Sequence, residues 1–298
     1  MKPSCSKLLL ITSMMVFGTI GVVRRYLDVP SGLLAMLRGV IGALVLLPFL
    51  LRAGKGGSFA SVKKHLWLLI LVGVLIGFNW IFLFESYRYT TVAVATLCYY
   101  MAPVFVMLVS PLFLGERLTR RKIVSLSLSL IGIVFVSGIF SSEPIGRSGG
   151  LGILYGLLAA VLYASVIILN KTVKDVGAFE RTTVELFAAG VLLLPYSLLF
   201  EDVGSIVLSP RAIVLILVVG VIHTGLSYAA YFGSLSQLDA ATVSVLSYID
   251  PAVAIVLSVA FLGEPFTPAI LIGTVLILGG TLLSELPIKI PHLKDMQE

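Results

Sequence analysis

The chain has 298 residues, of which 58% are hydrophobic and 12% charged, and its formal net charge is +6. Soluble proteins carry about 25% charged residues, and a soluble fold could not bury this much apolar surface. Composition therefore excludes an ordinary soluble domain. It predicts an all-α integral membrane protein, because helices satisfy their own backbone polar groups in lipid.

The positive charge does not indicate nucleic-acid binding, since the basic residues stand in small groups between apolar runs, where membrane topology signals belong. No zinc-finger spacing or RNA-binding signature accompanies them. The two cysteines, Cys5 and Cys98, are far apart in the sequence and fit no disulfide framework or metal-ligand pattern. We therefore expect no nucleic-acid partner, no metal and no cofactor.

Ten predicted membrane spans follow one another with short connections. Each is an apolar run close to the roughly 20 residues that a helix needs to cross the hydrocarbon core. They lie near 8–26, 31–51, 66–86, 92–114, 122–139, 150–170, 183–200, 211–231, 240–262 and 267–285. The first run has a basic start, as a signal peptide would, but it ends in Arg24-Arg25 without a small-residue cleavage site. We therefore interpret it as the first span.

Lysine and arginine are unevenly distributed between alternate connections. With the N-terminus inside, 15 of the 21 basic residues fall on the inner side and five on the outer side, while Arg38 lies within a span. Short cytoplasmic loops carry the excess of basic residues in membrane proteins. Both termini are therefore expected in the cytoplasm, with the chain passing many times through the cytoplasmic (inner) cell membrane.

The second half of the chain repeats the first. Residues 93–119 and 241–267 align without gaps with nine identities in 27, including one proline and the sequence FLGE. The repeat unit holds five spans, which predicts one repeat over 1–145 and another over 146–298. Because five is odd, the second repeat enters the membrane from the opposite side. Inverted repeats of this kind are typical of secondary transporters, which bind substrate near the midplane and alternate their access.

The stretches that carry the repeat are AxxxLCYYMAPVFVMLVSPLFLGERLT and AATVSVLSYIDPAVAIVLSVAFLGEPFT. Their doubled pattern of a fourth-span proline, LGE-x-x-T and a Gly-rich fifth span resembles the EamA-type family of the drug/metabolite transporter (DMT) superfamily. The resemblance covers nearly the whole chain. It implies ten transmembrane helices in two EamA repeats and transport of small metabolites. It implies no single substrate, since the superfamily handles amino acids, sugars, nucleotide-sugars and drugs.

Pro103 and Pro251 stand about twelve residues into the fourth and ninth spans. A proline inside a helix removes one hydrogen bond and frees a carbonyl. In lipid this is tolerated only where protein or a wet cavity satisfies that carbonyl. A simple packing kink is one interpretation, whereas the matched positions in two spans favour helix breaks that line a shared cavity and take part in gating.

The LGE-x-x-T motifs are interpreted as structural corners between consecutive helices. Glycine suits the left-handed conformation that ends a helix, and threonine suits the N-cap of the next helix. The glutamates are expected at the aqueous boundary, where a carboxylate is readily solvated. The structural motif residues are Gly115, Glu116, Thr119, Gly263, Glu264 and Thr267.

Ionisable residues near the middle of spans are expensive in lipid and mark functional sites by default. Asp250 is nearly central in the ninth span, and its counterpart in the first repeat is Ala102. Arg38 lies in the second span, and a structural ion pair between Arg38 and Asp250 is the alternative to a substrate-binding role. His223, near the middle of the eighth span, is either a functional group or a hydrogen-bonded packing residue.

Two acidic residues stand nearer the ends of their spans. Glu85 lies near the outer end of the third span with Arg88 three residues on, so an interfacial ion pair competes with a functional role. Glu185 lies near the cytoplasmic edge of the seventh span, where its side chain could reach water. Burial favours the neutral form of a carboxyl group, so Asp250 and Glu85, together with His223, are the candidates for proton coupling.

Polar and aromatic residues at compatible depth gather on spans three, four, eight and nine. Tyrosine and tryptophan offer a flat apolar face with one hydrogen-bonding group, although each residue alone could equally belong to the core or to an interfacial belt. The candidate substrate-binding residues are Arg38, Asn79, Trp80, Tyr99, Tyr100, His223, Tyr228, Ser247, Tyr248 and Asp250.

Two GxxxG spacings, Gly73/Gly77 and Gly152/Gly156, allow close contact between helices. Such contacts serve either packing within one chain or a homodimer. Both interpretations stay open from the sequence.

These features predict a secondary active transporter of a small polar or zwitterionic, amino-acid-like metabolite, working by alternating access as an exporter. Arg38 would receive a carboxylate, and Asp250 an amine or a proton. The sequence holds no Walker motif, so gradients or exchange would supply the energy. An exporter of lipophilic cations or drugs is the alternative within transport. A lipid-acting membrane enzyme and a receptor or scaffold are the alternatives from other classes; the expected partners are a small-molecule substrate and the lipid bilayer.

Overall fold

The structure, a computed structural model, describes residues 3–52, 59–115, 118–138, 147–206, 208–235 and 237–286. Within these ranges all regular secondary structure is helical. The α-helices are α1 Pro3–Gly18, α2 Ile20–Arg25, α3 Ser31–Arg52, α4 Phe59–Tyr89, α5 Val92–Tyr99, α6 Ala102–Phe113, α7 Arg120–Val136, α8 Arg147–Thr172, α9 Ala178–Leu192, α10 Leu194–Phe200, α11 Pro210–Leu217, α12 Ser227–Leu235, α13 Ala240–Ser247, α14 Ile249–Leu262 and α15 Pro268–Glu285. A π-helical segment, Val218–Leu226, joins α11 to α12.

Nine segments of the described residues are long and apolar enough to cross a membrane. They are Ser4–Arg25, Ser31–Leu51, Ala60–Tyr89, Val92–Phe113, Ser148–Thr172, Ala178–Phe200, Pro210–Leu235, Ala241–Leu262 and Pro268–Glu285. The remaining predicted span, the fifth, corresponds to α7, whose 17 residues stand at the lower limit for crossing the bilayer. The chain is therefore an all-α, multi-pass membrane protein.

Several spans are interrupted within the bundle. The fourth span divides into α5 and α6 directly before Pro103, and the ninth divides into α13 and α14 at Tyr248, shortly before Pro251. Proline is favoured in the first turn of a helix, and in both spans a new helix begins next to the proline. The first span also divides, at Thr19, although it has no proline there.

Both LGE-x-x-T glycines adopt the left-handed conformation, with φ of 66° at Gly115 and 63° at Gly263. The hydroxyls of Thr119 and Thr267 cap the next helices by accepting hydrogen bonds from backbone N–H groups three residues on. These conformations are the ones expected of a corner between two helices. Glu116 lies outside the described residues.

The GxxxG glycines pack inside the chain. Gly73 and Gly77 on α4 face the seventh span, and Gly152 and Gly156 on α8 face the ends of the third and fourth spans. These contacts favour packing within one chain as the role of the motif. A homodimer stays a prediction.

Small residues bring α7 and α15 into close contact. A Cβ placed on Gly273 would overlap Cγ2 of Val136 and would lie 2.9 Å from the carbonyl oxygen of Gly132. The hydroxyl of Ser125 donates a hydrogen bond to the carbonyl of Gly280 in the same interface. Helices in lipid associate through close packing of this kind, so this interface holds the fifth and tenth spans together.

We expect Gly273→Val to lower the melting temperature of the detergent-purified protein by several degrees, because overpacking a tight contact costs about 1–3 kcal/mol. Gly279 lies on the same helix, and a Cβ there meets nothing within 4 Å. Gly279→Val is therefore the matched control and should leave the melting temperature unchanged. Differential scanning fluorimetry measures both, and equal melting temperatures for the two variants would contradict the packing role of Gly273.

Candidate substrate site

The interruptions in the first and ninth spans lie next to each other. A Cβ on Gly18, the last residue of α1, would lie 2.5 Å from the carbonyl oxygen of Asp250. α14 also contacts α2 and α5, so the broken fourth span lies at the same place. Irregular backbone at membrane depth must face protein or a wet cavity. We define the central site here as Arg38, Trp80, Tyr99, Tyr100, Tyr228 and Asp250.

Asp250 is partly exposed and accepts a hydrogen bond from the hydroxyl of Tyr100 at 2.9 Å. The same hydroxyl lies 3.3 Å from the carbonyl oxygen of Ser247. Among the described residues, the ion pairs do not include Asp250. A carboxylate has about four acceptor positions, so Asp250 keeps capacity for a cationic group.

Arg38 is 4% exposed and lies beside an aromatic ring. Its Nε donates to Oγ1 of Thr224 at 3.0 Å, and its Cζ lies 3.8 Å from the centroid of the Trp80 ring. An aromatic face offsets part of the desolvation of a guanidinium group. In the described part of the chain, no hydrogen bond uses the two terminal nitrogens of Arg38.

The structural ion pair considered between Arg38 and Asp250 is not formed, because the two groups are farther apart than the 4.0 Å that defines an ion pair. Each charge instead has a neutral hydroxyl as its partner. Two opposite charges, one buried and one partly exposed, thus lie in one bundle without neutralising each other. This arrangement suits a ligand that carries both charges.

The π-helical segment of the eighth span places Thr224 against Arg38. Such segments are frequent at functional sites, and neither this segment nor the role of Thr224 has a local signal in the sequence. His223, on the same segment, is 2% exposed; its Nε2 lies 2.7 Å from Oγ1 of Thr19, and its Nδ1 lies 3.2 Å from the carbonyl oxygen of Val218. Both ring nitrogens therefore contact protein groups, which favours the packing role for His223.

Aromatic rings lie between and around the two charges. Tyr228 is within electrostatic range of both Arg38 and Asp250, and its ring packs against Phe17 with centroids 5.4 Å apart. Aromatic side chains bury large apolar groups while their hydroxyls stay available for hydrogen bonds. The central site therefore combines an anion-binding group and a cation-binding group with an apolar aromatic wall.

The structure adds aromatic residues that the sequence analysis did not select. Tyr163 on α8 stacks on Tyr99 with centroids 5.4 Å apart, and Phe232 stacks on Tyr228 at 5.8 Å. Tyr163 and Phe17 lie in the sixth and first spans, which hold none of the selected ionisable residues. A search for aromatic residues in the middle of every span would have found both.

Ser247 and Tyr248 lie at the edge of the central site. The hydroxyl of Ser247 donates to the carbonyl of Val243 at 2.9 Å, and that of Tyr248 donates to Oγ1 of Thr281 at 2.8 Å. The Tyr248 ring lies 6.2 Å from the ring of Tyr100. Both side chains thus support the broken ninth span, and only the Tyr248 ring extends toward the central site.

Asn79 and Glu85 are not brought to the central site. Asn79 is 1% exposed, and its amide nitrogen donates to the carbonyl of Ala159 at 2.6 Å, which joins α4 to α8. Glu85 accepts hydrogen bonds from Arg88 at 3.0 Å and from the hydroxyl of Ser31 at 2.5 Å. These contacts favour a helix-packing role for Asn79 and the interfacial ion pair for Glu85.

Glu264 ties three spans together at the end of the bundle opposite the N-terminus. Its carboxylate pairs with Arg25 at 3.0 Å and accepts the backbone N–H of Val92 at 2.8 Å. Arg25 also donates to the carbonyl of Thr90 at 3.0 Å. The side chain of Glu264 is only 8% exposed, because residues distant in sequence fold over it, and its position at an aqueous boundary stays a prediction.

A cavity of about 460 Å³ lies beside this ion pair rather than at the central site. Arg25, Thr90 and Pro265 are among the residues that line it. The Arg25–Glu264 contact therefore borders a vestibule at this end.

Comparisons with known proteins agree with this architecture. The EamA-like transporter family model matches residues 6–138 and again residues 150–286. A solved crystal structure aligns over 94% of this chain and 96% of its own, with a TM-score of 0.66 at 20% identity, which shows a shared fold.

Relatives in several microorganisms match most of the chain. The uncharacterized transporter YxxF of Bacillus subtilis is 31% identical over 92% of this chain and 88% of its own length. An uncharacterized transporter of Archaeoglobus fulgidus is 28% identical over 92% and 94%, and protein PecM of Dickeya dadantii is 27% identical over 80% and 82%. This chain belongs to the EamA-like transporter family of the DMT superfamily and is a multi-pass membrane transporter.

Proposed function

We propose that this protein moves a small zwitterionic, amino-acid-like metabolite across the cytoplasmic membrane by alternating access, as a secondary active exporter. The observation that carries the proposal is that two opposite charges inside the bundle, the buried Arg38 and the partly exposed Asp250, do not neutralise each other. Buried charges are normally paired. A ligand with a carboxylate and an amine would supply a charged partner for Arg38 and for Asp250.

In this proposal each part of the central site recognises one part of the substrate. The terminal nitrogens of Arg38 form a planar fork that suits a carboxylate, and the Asp250 carboxylate suits an ammonium group. The rings of Tyr99, Tyr100 and Tyr228 contact the substrate body. Trp80 lies under the Arg38 guanidinium and positions the fork.

Alternating access in this proposal follows from two inverted five-helix repeats. Features matched between the halves support it: spans four and nine are both interrupted, and both LGE-x-x-T corners have the same left-handed glycine and threonine cap. The Arg25–Glu264 contact is one closed arrangement at the end opposite the N-terminus. The excess of basic residues on the other side favours cytoplasmic termini, so this closed end would face outward.

Export of lipophilic cations or drugs is the second candidate, and the aromatic rings around Asp250 favour it. A cation can bind over aromatic faces next to a single carboxylate. Such a substrate would have no use for Arg38. The two candidates therefore differ in whether a carboxylate on the ligand matters.

Thermal-shift measurements on purified protein test the proposal with chemically matched probes. We expect amino acids to raise the melting temperature, while their N-acetyl derivatives and the corresponding amino alcohols should raise it much less, because each lacks one of the two charges. Stabilisation by tetraphenylphosphonium, without any by amino acids, would overturn the proposal in favour of cation export. Stabilising compounds are then assayed for saturable exchange in proteoliposomes.

A further inference from the structure

A second buried polar cluster lies where α8 ends and α9 begins, and its carboxylate is within electrostatic range of Tyr228 of the central site. Glu185 on α9 has a side chain only 3% exposed, and the nearest cation is Arg181, with its Nε 3.8 Å from the carboxylate Oε1. The Arg181 side chain is 21% exposed, and its Nη1 donates to the carbonyl of Asn170 at 3.2 Å. The carboxylate is therefore enclosed, whereas its cationic neighbour reaches water.

The Asn170 side chain hydrogen-bonds to the Glu185 carboxylate, but the cluster is only partly satisfied. Oε1 of Glu185, Nε of Arg181 and Oδ1 of Asn170 are all buried without a hydrogen-bond partner. A buried charge without such partners is costly. The separation of 3.8 Å exceeds the usual hydrogen-bond range of about 2.7–3.2 Å, so the pair is loosely held. The sequence left open whether Glu185 reaches water, and the structure shows that it does not.

The helices packed against α9 supply no closer charge to Glu185. Ionisable residues on those helices and on α8 include Arg38 on α3, Lys64 and His65 on α4, Tyr163 on α8, Tyr196 on α10 and Tyr228 on α12. Of these, Tyr163 and Tyr228 interact electrostatically with Glu185. Lys64 and His65 both pair with Asp175. Among the described residues, Arg181 is the ion-pair partner of Glu185.

The backbone of α9 around Glu185 contacts two helices that carry residues of the central site. A Cβ on Gly73 of α4 would lie 2.5 Å from the carbonyl oxygen of Glu185 itself. A Cβ on Gly39, next to Arg38 on α3, would lie 2.9 Å from the carbonyl oxygen of Leu186. Because these backbones touch, α9 cannot shift without moving against the two helices that carry Arg38 and Trp80.

We propose that Glu185 is a proton-binding site that couples transport to the proton gradient, an inference that rests on the proposed secondary transport. When Arg181 turns toward water, a hydronium ion of the aqueous phase transfers its proton to a carboxylate oxygen of Glu185 and is left as water, and the buried side chain becomes neutral. When the pair re-forms, the proton returns to water and the carboxylate is charged again. Arg181 can be solvated alone, while Glu185 cannot, so protonation removes the buried unpaired charge.

Infrared spectroscopy of the purified protein tests proton binding without any substrate. We expect a carboxylic-acid C=O band that appears as the pH is lowered, with one component that is absent in Glu185→Gln and retained in Asp250→Asn. Glu180→Gln, on the same helix, is the matched control and should keep that component. The proposal would be overturned if Glu185→Gln retained every component of the titrating band. It would also be overturned if the component were lost only in Asp250→Asn.

A second variant covers the case in which Glu185→Gln does not fold. Glu185→Asp keeps a carboxylate but moves it by one methylene, so the same band component should shift in frequency or in midpoint pH. An unchanged component would overturn the proposal. Because this experiment needs no substrate, its outcome is independent of whether the proposed zwitterion is correct.

Transport measurements then test the coupling itself. One proton per substrate changes the accumulation ratio at equilibrium by about tenfold for each unit of pH gradient across the membrane. In proteoliposomes we expect this dependence for the wild type and its loss in Glu185→Gln. A gradient dependence that persists in Glu185→Gln would show that another group carries the proton.

Discussion

Replacement of Arg38 by glutamine is expected to lower the transport of zwitterionic substrates about a hundredfold, equivalent to a loss of roughly 3 kcal/mol. Loss of one partner of a buried, hydrogen-bonded charge pair costs about 2–5 kcal/mol, and in the proposed complex Arg38 is the partner of the substrate carboxylate. Initial rates in proteoliposomes at several substrate concentrations measure the effect. Glutamine is expected to preserve the fold, because it is apolar along its stem and can still donate to Thr224.

Arg38→Lys separates charge from geometry. Lysine keeps the positive charge but lacks the planar fork and the stacking of a guanidinium group on an aromatic ring, and Arg38 stacks on Trp80. We therefore expect only partial recovery of transport. Recovery to the wild-type rate would show that charge alone is needed at this position.

Arg88→Gln is the control for the loss of a positive charge. The Arg88 side chain is 55% exposed and pairs with Glu85, and exposed ion pairs contribute only about 0–1 kcal/mol. Transport in this variant should stay close to wild type. If Arg38→Gln also transports normally, the zwitterion proposal is wrong, and the cation candidate, which has no use for Arg38, gains support.

The interruptions of the spans show which structural features can be predicted from local sequence. Pro103 and Pro251 predict breaks in the fourth and ninth spans because a proline inside a helix removes a hydrogen bond and clashes with the preceding turn, although Pro48 and Pro111 lie inside α3 and α6. The break at Thr19 and the π-helical segment have no such local cause, since they depend on contacts with distant spans. Backbone chemistry can therefore be predicted locally, whereas packing between spans cannot.

The burial of the charged residues could likewise be predicted only in part from local sequence. Composition and depth singled out Arg38 and Asp250, and the structure places both inside the bundle. Depth along a span did not reveal that Glu264 would be covered by Arg25 and Val92, or that Glu185 would be enclosed. A residue near the end of a span is solvated only if no other segment folds over it, and that depends on tertiary structure.

Asp250→Asn is expected to lower zwitterion transport by a similar factor, about a hundredfold. Asparagine has nearly the same size and can still accept the hydrogen bond that Tyr100 donates at 2.9 Å, so the main change is the loss of negative charge. The substrate ammonium group would then lose its partner. Initial rates in proteoliposomes again measure the effect.

Asp239→Asn is the matched control at the start of the same span. Asp239 is an N-cap whose carboxylate accepts hydrogen bonds from the backbone N–H and hydroxyl of Thr242, and these bonds lower the pKa of Asp239. Asparagine caps a helix as well as aspartate does, so the variant loses one negative charge while its cap is retained. We expect transport to stay near the wild-type rate.

Substrate analogues distinguish recognition from a purely structural role for the two charges. In the proposed site, an amine without a carboxylate should be transported by Arg38→Gln at the same rate as by the wild type. A carboxylic acid without an amine should likewise be transported by Asp250→Asn at the wild-type rate. This crossed pattern requires each charge to contact a different end of the substrate. If both variants instead lose transport of all analogues in equal measure, Arg38 and Asp250 maintain the fold of the bundle, and recognition must lie elsewhere.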